Sequence, residues 1–372
     1  MKIAINTRHL TNKGIDGIGR FTFETFKIIV EQHPDVEFLF LFDRAHSSQY
    51  VSSVNIKPII VYPPTVHPWL IDFWYNYSLP FIFTKHKPDL FVSTDGLLSL
   101  RTKTKQLAVI HDLNFVHYHD KSSKYNDFFL NFYPKSAAIA KRIATVSEYS
   151  KQDIIEHYKI DENKIDVVCN GVSAAYFPID DDKKRQVKIK LTKGCDYFIF
   201  VGSLYERKNI KRLLEAFEKF KTDNGTNHKL VLAGRKRWTL SEMEVFYNGM
   251  RFKDDIIFTG RLSDEELCKV LGAATALTYV SLFEGFGIPI LEAFHCDVPV
   301  ITSNTTSMPE VAGAAAILVN PLDVEEIATA MQGMIADEAL RIGLIEKGRV
   351  QREKYSWQLS ADLLWKSIEK CF

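Results

Sequence analysis

Short apolar runs return at near-regular intervals along the chain, and helical or mixed patterns fill the spaces between them. In the first half the runs cover residues 2–6, 36–42, 59–62, 90–93, 107–111, 143–147 and 166–169. That alternation predicts a parallel sheet with helices on both faces. A second series covers 196–201, 229–233, 256–259, 276–281, 298–303 and 315–319. Between the two, residues 174–194 lack strand periodicity and are dense in charge, which predicts a partly helical linker. Asp180, Asp181 and Asp182 lie there with no apolar strand before them, so they read as solvated. At 372 residues the chain is long for one core. We expect two doubly wound α/β domains, over 1–175 and 176–355.

A doubly wound sheet presents its ligand to the C-terminal ends of its strands, so polar residues and glycines there are the candidates. In the first half these are Asp16-Gly17-Ile18-Gly19-Arg20, between the first strand and first helix, then Asp95-Gly96, His111-Asp112, Ser147-Glu148 and Asn170-Gly171. The glycines do not complete a dinucleotide fingerprint, because Thr22 stands where the third would be. That argues against a nicotinamide dehydrogenase. His111 suits polar contact with a ligand or general-base work, since imidazole titrates near neutrality. The plainer alternative is a strand-end histidine with Asp112 as a turn residue.

In the second half, strand 196–201 runs into Gly202, then Arg207-Lys208, and a helix begins near Asn209. Arg207 can hold phosphate oxygens through parallel N–H bonds, and Lys208 adds a compact charge. Cations sit poorly at a helix start, so a ligand anion explains the pair better than chance does. Two further strands end in Gly234 and in Gly260-Arg261.

The most informative stretch is SLFEGFGIPILEAF, residues 281–294. An apolar strand precedes it and a helical pattern follows, with Gly285, Gly287 and then Pro289 at a first helical position. Unpaired N–H groups of a helix start attract an anion, and glycines let it approach. Glu284 and Glu292 bracket this turn. Carboxylates would repel a phosphate unless engaged elsewhere, and sugar hydroxyls are the natural takers.

Glu284 and Glu292, seven residues apart around GFGIPIL and followed by DVPVITS, resemble the Glu-x7-Glu signature of glycosyltransferase family 4. These are retaining enzymes of the GT-B fold. The resemblance covers nearly the whole chain and is strongest from 202 to 321. It implies two Rossmann-like domains with the active site in the cleft between them. It also implies that the last helix, 356–372, packs back on the first domain, with Trp357 and Trp365 as anchors.

By the same resemblance, Arg207, Lys208 and the N–H groups of Gly285, Phe286, Gly287 and Ile288 face the donor diphosphate. Gly202, Gly234 and Arg261 line the nucleotide pocket, and Glu292 holds the ribose. Glu284 and His111 orient the transferred sugar. The loop containing Asp16, Gly17, Gly19 and Arg20 lies beside diphosphate and acceptor, with Asp112 on the acceptor side. The DGIGR, HDL and MPEV runs look closest to bacterial mannosyltransferases of polysaccharide assembly, which implies GDP-mannose and a sugar or lipid-linked glycan acceptor. The alternatives are a UDP-hexose donor, a sugar phosphorylase or synthase, or a non-catalytic nucleotide-sugar-binding partner on the same architecture. No metal-ligand pattern is evident in the sequence, so neither metal nor other cofactor is expected.

Composition narrows the partners. A net charge of +1 gives no bulk attraction for nucleic acid. Cys169, Cys195, Cys268, Cys296 and Cys371 are scattered and read as reduced thiols of a cytoplasmic protein. The first residues read as a strand rather than a secretion leader, and no apolar run approaches the roughly 18 residues of a membrane span. Residues 63–88 are rich in aromatics. Positions 70, 73, 74, 77 and 81 can share one helical face, which predicts a core helix. The alternative is an acceptor- or membrane-facing surface, with Arg101, Lys103, Lys105, Lys121 and Lys124 near an anionic carrier at the inner face of the membrane.

Overall fold

The computed structural model describes residues 1–11, 15, 17–118, 124–236 and 242–372. Asp16 and Lys121 lie outside them. In chain order the first elements are β1 (Lys2–Asn6), α1 (Gly17–Gln32), β2 (Glu37–Phe42), β3 (Ile56–Ile60), α2 (Pro68–Phe73) and α3 (Leu79–His86). Next come β4 (Leu90–Ser93), β5 (Lys105–Ile110), α4 (Asn114–His117), α5 (Lys124–Ile139), β6 (Arg142–Thr145), α6 (Glu148–Tyr158) and β7 (Ile165–Val167). The second series is α7 (Asp181–Thr192), β8 (Tyr197–Val201), α8 (Ile210–Asn224), β9 (Lys229–Ala233), α9 (Glu242–Gly249), β10 (Ile256–Gly260) and α10 (Asp264–Gly272). It continues with β11 (Ala276–Tyr279), α11 (Ile288–His295), β12 (Val300–Ser303), α12 (Met308–Ala312), β13 (Ala316–Val319), α13 (Val324–Ala336) and α14 (Glu338–Arg352). Helix α15 (Trp357–Glu369) ends the chain.

These elements form two compact units, one of Met1–Asn170 with Ser356–Phe372, the other of Gly171–Tyr355. The first holds a parallel seven-stranded sheet in the order β3-β2-β1-β4-β5-β6-β7. Strand alternation sends successive side chains to opposite faces, so each strand feeds two cores. Ile3, Ile5, Phe38, Phe40 and Phe42 pack on one face with Phe21 and Phe26 of α1 and Leu364 and Ile368 of α15. Ala4, Leu39, Leu41 and Phe91 pack on the other with Leu79, Phe83 and Phe132. Trp357 lies 6.4 Å from Phe21, and Trp365 stacks on His33 at 3.5 Å, both within this unit.

The expected core helix over 70–81 is not what forms. A π-helical turn at Trp74–Ser78 joins α2 to α3 and changes the angular spacing of the side chains. Trp74 and Tyr75 turn inward and are fully buried, while Phe73, Tyr77 and Phe81 face out. Buried Leu79 and Phe83 supply the core face of α3 instead.

The second unit holds a parallel six-stranded sheet in the order β10-β9-β8-β11-β12-β13. Helix α8 buries Ile210, Leu213, Leu214, Phe217 and Phe220, a helical stripe. Asp180 caps α7 by accepting from Lys183 N–H, and Asp181 and Asp182 pair with Lys184 and Arg185 in solvent. Helix α14 was not anticipated from the sequence. It starts on the Asp337 cap, and Gly348 lets it approach Phe294 of α11, where a Cβ would stand 2.9 Å from that ring.

Candidate active site

Strand order reverses between β8 and β11, where the chain leaves β8 outward to β9 and returns inward to β11. The loops leaving such neighbouring strands part, which opens a ligand crevice at their C-terminal ends. The loop after β8 carries Gly202, Arg207 and Lys208. The loop after β11 carries Glu284 to Gly287.

Backbone and side-chain bonds stitch the two loops together. Leu282 N–H donates to Arg207 O at 2.8 Å, and Asn209 Nδ2 donates to Val280 O at 3.0 Å. Asn209 adopts a left-handed conformation, φ 59°, at the junction into α8. Gly234, at the end of β9, is at φ 153°, and a Cβ there would lie 2.0 Å from Gly202 O. Only glycine permits that approach, so Gly234 holds the Gly202 turn in place.

The charged centre follows from this packing. Lys208 Nζ donates to Glu284 Oε1 and, at 2.9 Å, to Tyr279 Oη. Arg207 lies 3.2 Å from Glu284 Oε2 and donates to Phe283 O at 2.9 Å. Glu284 is 7% exposed and Lys208 8%. Burial opposes the Glu284 charge, but Lys208 and then Arg207 outweigh it and hold the carboxyl down to about 2. Tyr279 moves the other way: burial, then the Glu284 charge, pushes its hydroxyl well above the usual range.

The helix start is built as the sequence predicts. Gly287 adopts φ 104° and precedes α11, with proline in the first turn. Ser307 Oγ lies 2.9 Å from both the Glu284 and Phe286 carbonyls and fixes the turn from below. Gly285 and Phe286 are buried, Ile288 and Glu292 are half-buried, and Arg261 is exposed just past β10. The N–H groups and dipole of such a helix start, next to two cations, suit an anion.

The first unit has an equivalent crevice between β1 and β4. Gly17, Gly19 and Arg20 lie in the first turns of α1 rather than in a loop. Gly17 needs no glycine on steric grounds, since a Cβ there meets nothing within 4 Å. His111 follows β5, with Nε2 3.0 Å from Thr94 O and its ring edge-on to Phe21 at 5.0 Å. Asp112 Oδ1 accepts from Asn114 N–H at 3.0 Å and shapes the turn into α4.

Two family models match in tandem. One, described as Glycosyltransferase Family 4, covers residues 15–176, and the other, Glycosyl transferases group 1, covers 181–351. The chain belongs to the glycosyltransferases. This glycosyltransferase is 27% identical over 370 residues to O-antigen chain mannosyltransferase B of Escherichia coli, across 92% of this chain and 93% of that one. It is 27% identical over 327 residues to the serotype-specific mannosyltransferase WbdA of Escherichia coli, but spans only 38% of that protein's length. Among solved structures, HepE of Anabaena in complex with UDP and glucose superposes with a TM-score of 0.76 at 13% identity, over 99% of each chain. The glycosyltransferase thus has the GT-B fold of two Rossmann-like domains.

One constellation of this glycosyltransferase escapes sequence reading. Arg8, just past β1, pairs with Asp95, just past β4; Asp95 is buried against Tyr75, whose hydroxyl donates to Asp95 Oδ1 at 2.7 Å, and the Arg8 side chain is largely covered. Asn6 Nδ2 donates to the Tyr75 oxygen at 2.8 Å, and Arg8 reaches Thr65 Oγ1 at 3.1 Å. Burial works against the Asp95 charge, and Arg8 overrides it, holding the carboxyl well below the usual range. The Asp95-Gly96 pair at a strand end was the only local signal.

Proposed function

We propose that this glycosyltransferase moves mannose from GDP-mannose to a sugar or lipid-linked glycan acceptor during surface polysaccharide synthesis, with retention at the anomeric carbon. The observation that carries the reading is the Arg207-Lys208-Glu284 cluster beside the glycine-opened start of α11. Cleaving a glycosyl–phosphate bond puts negative charge on the departing diphosphate and oxocarbenium character on the sugar. Arg207, Lys208 and the N–H groups of residues 285–288 would receive the leaving charge, and such pre-aimed donors supply most of the rate in reactions of this kind. Glu292 would hold the ribose, while Glu284 and His111 orient the sugar. The mannosyltransferase names of both Escherichia coli relatives support the choice of sugar. We infer that the reaction requires no metal; the two cations of the cluster support this, since they can take up diphosphate charge that a divalent ion would otherwise neutralise.

The test is thermal unfolding against GDP, UDP, ADP and their sugar conjugates in chelating buffer, followed by NMR of the product formed from the responding donor. GDP species at a hundred times their dissociation constant should add about 2.7 kcal/mol. The product linkage should keep the donor's anomeric configuration. A UDP response alone would overturn the donor, a loss of activity in chelator that magnesium restores would overturn the metal-free chemistry, and an inverted product would overturn the retention.

The acceptor's lipid points to the cytoplasmic membrane surface as the workplace, and the first unit has a face that suits it. Trp69, Phe73, Tyr77 and Phe81 recur every fourth residue and are 68%, 45%, 46% and 70% exposed. Phe73 stacks on Tyr77, and the Arg101 guanidinium sits 4.4 Å from the Tyr77 ring. Lys57 and Lys85 lie close enough to His86 to add to the effect of burial in lowering its pKa. Aromatic rings seat at the acyl boundary while cations meet anionic headgroups. No helix among the described residues is long and apolar enough to span a bilayer. Sedimentation with anionic vesicles at low salt is expected, and the double variant Trp69→Ser/Phe81→Ser should bind at least about tenfold more weakly. A parent protein that stays in the supernatant removes this part of the proposal.

A further inference from the structure

His117 meets an aspartate and a histidine of α6, the aspartate 36 residues further along the chain. His117 ends α4, while Asp153 and His157 stand one turn apart on α6. His117 Nε2 lies 2.8 Å from Asp153 Oδ1, and His157 Nδ1 lies 3.2 Å from the same oxygen. One donor atom from each of the three falls within 4.8 Å of the others. Their imidazole rings are nearly perpendicular, with centroids 5.0 Å apart.

A second observation points to a missing occupant. Asp153 is only 6% exposed, yet its Oδ2 has no hydrogen-bond partner. A buried carboxylate oxygen without a donor forfeits the solvation it had in water, and most such atoms find a partner. The imidazole side chains, 29% and 33% exposed, leave a solvent path to the same point.

We propose that His117, Asp153 and His157 bind a divalent first-row transition ion of the zinc type. Two imidazoles and a carboxylate are a ligand set such ions favour, with water completing the tetrahedron. Ligand atoms about 2.0–2.1 Å from a tetrahedral ion stand roughly 3.3 Å apart, so the two separations here need only small adjustments. Magnesium and calcium prefer all-oxygen sets and fit poorly. Without an ion, His117 holds Asp153 Oδ1, His157 Nδ1 is divided between that oxygen and the Asp153 carbonyl at 3.0 Å, and Oδ2 is unused. With one, both ring nitrogens and a carboxylate oxygen turn to the ion instead.

The location gives the ion a positioning role rather than a chemical one. Ser150 Oγ donates to His111 O at 3.2 Å, from the same side of α6 that carries Asp153 and His157. Helix α6 thus holds the segment after β5 at two points, the His111 carbonyl and His117. An ion at the second point would clip that segment to α6 and steady the His111-Asp112 turn. This inference does not depend on the donor or the sugar.

Its test reads binding, not turnover. Chain stripped of metal is titrated with zinc by calorimetry and with cobalt by visible absorption, and its unfolding temperature is measured with zinc and with magnesium. One zinc per chain, a tetrahedral cobalt spectrum and a rise in unfolding temperature with zinc alone are expected. His117→Gln and His157→Gln, on the solvent side where the fold tolerates them, should each weaken zinc by at least about tenfold. No stoichiometric binding, an equal magnesium response, or zinc affinity unchanged in both variants would overturn the site, the last result pointing to the cysteines. None of these outcomes bears on the transfer reaction.

Discussion

Turnover of the Lys208→Ala variant is expected to fall at least about a hundredfold below that of the parent. The ammonium is fixed before any substrate arrives, by Tyr279 Oη at 2.9 Å, by Glu284, and by the Tyr279 ring 5.1 Å away. A charge already oriented needs no reorganisation as the diphosphate departs, which is where electrostatic catalysis gains most. Because Glu284 balances it in the resting site, the donor phosphate and Glu284 compete for one cation. Loss of Lys208 should therefore lower kcat more than it raises KM. Removing one partner of a buried pair also costs about 3–5 kcal/mol of stability, so turnover must be measured well below the variant's unfolding temperature. The double variant Lys208→Ala/Glu284→Gln isolates the stability cost: it should regain stability, because the buried acid no longer lacks its lysine partner. A single variant within about threefold of the parent would remove Lys208 from the catalytic group.

The sequence exposed those features whose cause is local. Strand runs such as 2–6 and 196–201 are apolar at nearly every position because both faces are covered, and they became β1 and, one residue shorter, β8. The Gly287-Pro289 turn was legible for the same reason, since its glycine and proline each answer a backbone requirement within four residues. Pairings across the sheet were not. Arg8 and Asp95 lie 87 residues apart, and nothing near either announces the other. Sequence motifs suggested that Arg207, Lys208 and Glu284 share a site, but not that the acid already pairs with both cations, because that depends on how two loops 76 residues apart are stitched. The aromatic stretch misled because helical spacing assumes 3.6 residues per turn, and the π turn at Trp74–Ser78 breaks it. Helix α14 was missed because it buries little besides Leu344, Gly348 and Gln351, so its periodicity is faint; the Asp337 cap was the usable signal.

The Glu284→Gln variant is expected to lose stability in a way that depends on pH. The folded protein holds Glu284 down to about 2 from an ordinary 4.5, with burial opposing the charge and Lys208 and Arg207 prevailing. A carboxyl with a depressed folded pKa contributes stability that is complete above the unfolded value and is lost as pH falls toward the folded one. At about 1.4 kcal/mol per pH unit, a fall from 4.5 to about 2 gives the folded state about 3 kcal/mol at neutral pH. Glutamine keeps the shape but not the charge, so the variant lacks this increment throughout. Urea unfolding of both proteins should show a gap near 3 kcal/mol at pH 7 that begins to close below about pH 4.5 and is largely gone near pH 2. Acids elsewhere, Asp95 among them, titrate alike in both proteins and cancel in the difference. A gap that stays constant across this range would mean that Glu284 supports the site by shape and hydrogen bonding alone, and that its charge is not what orders Arg207 and Lys208.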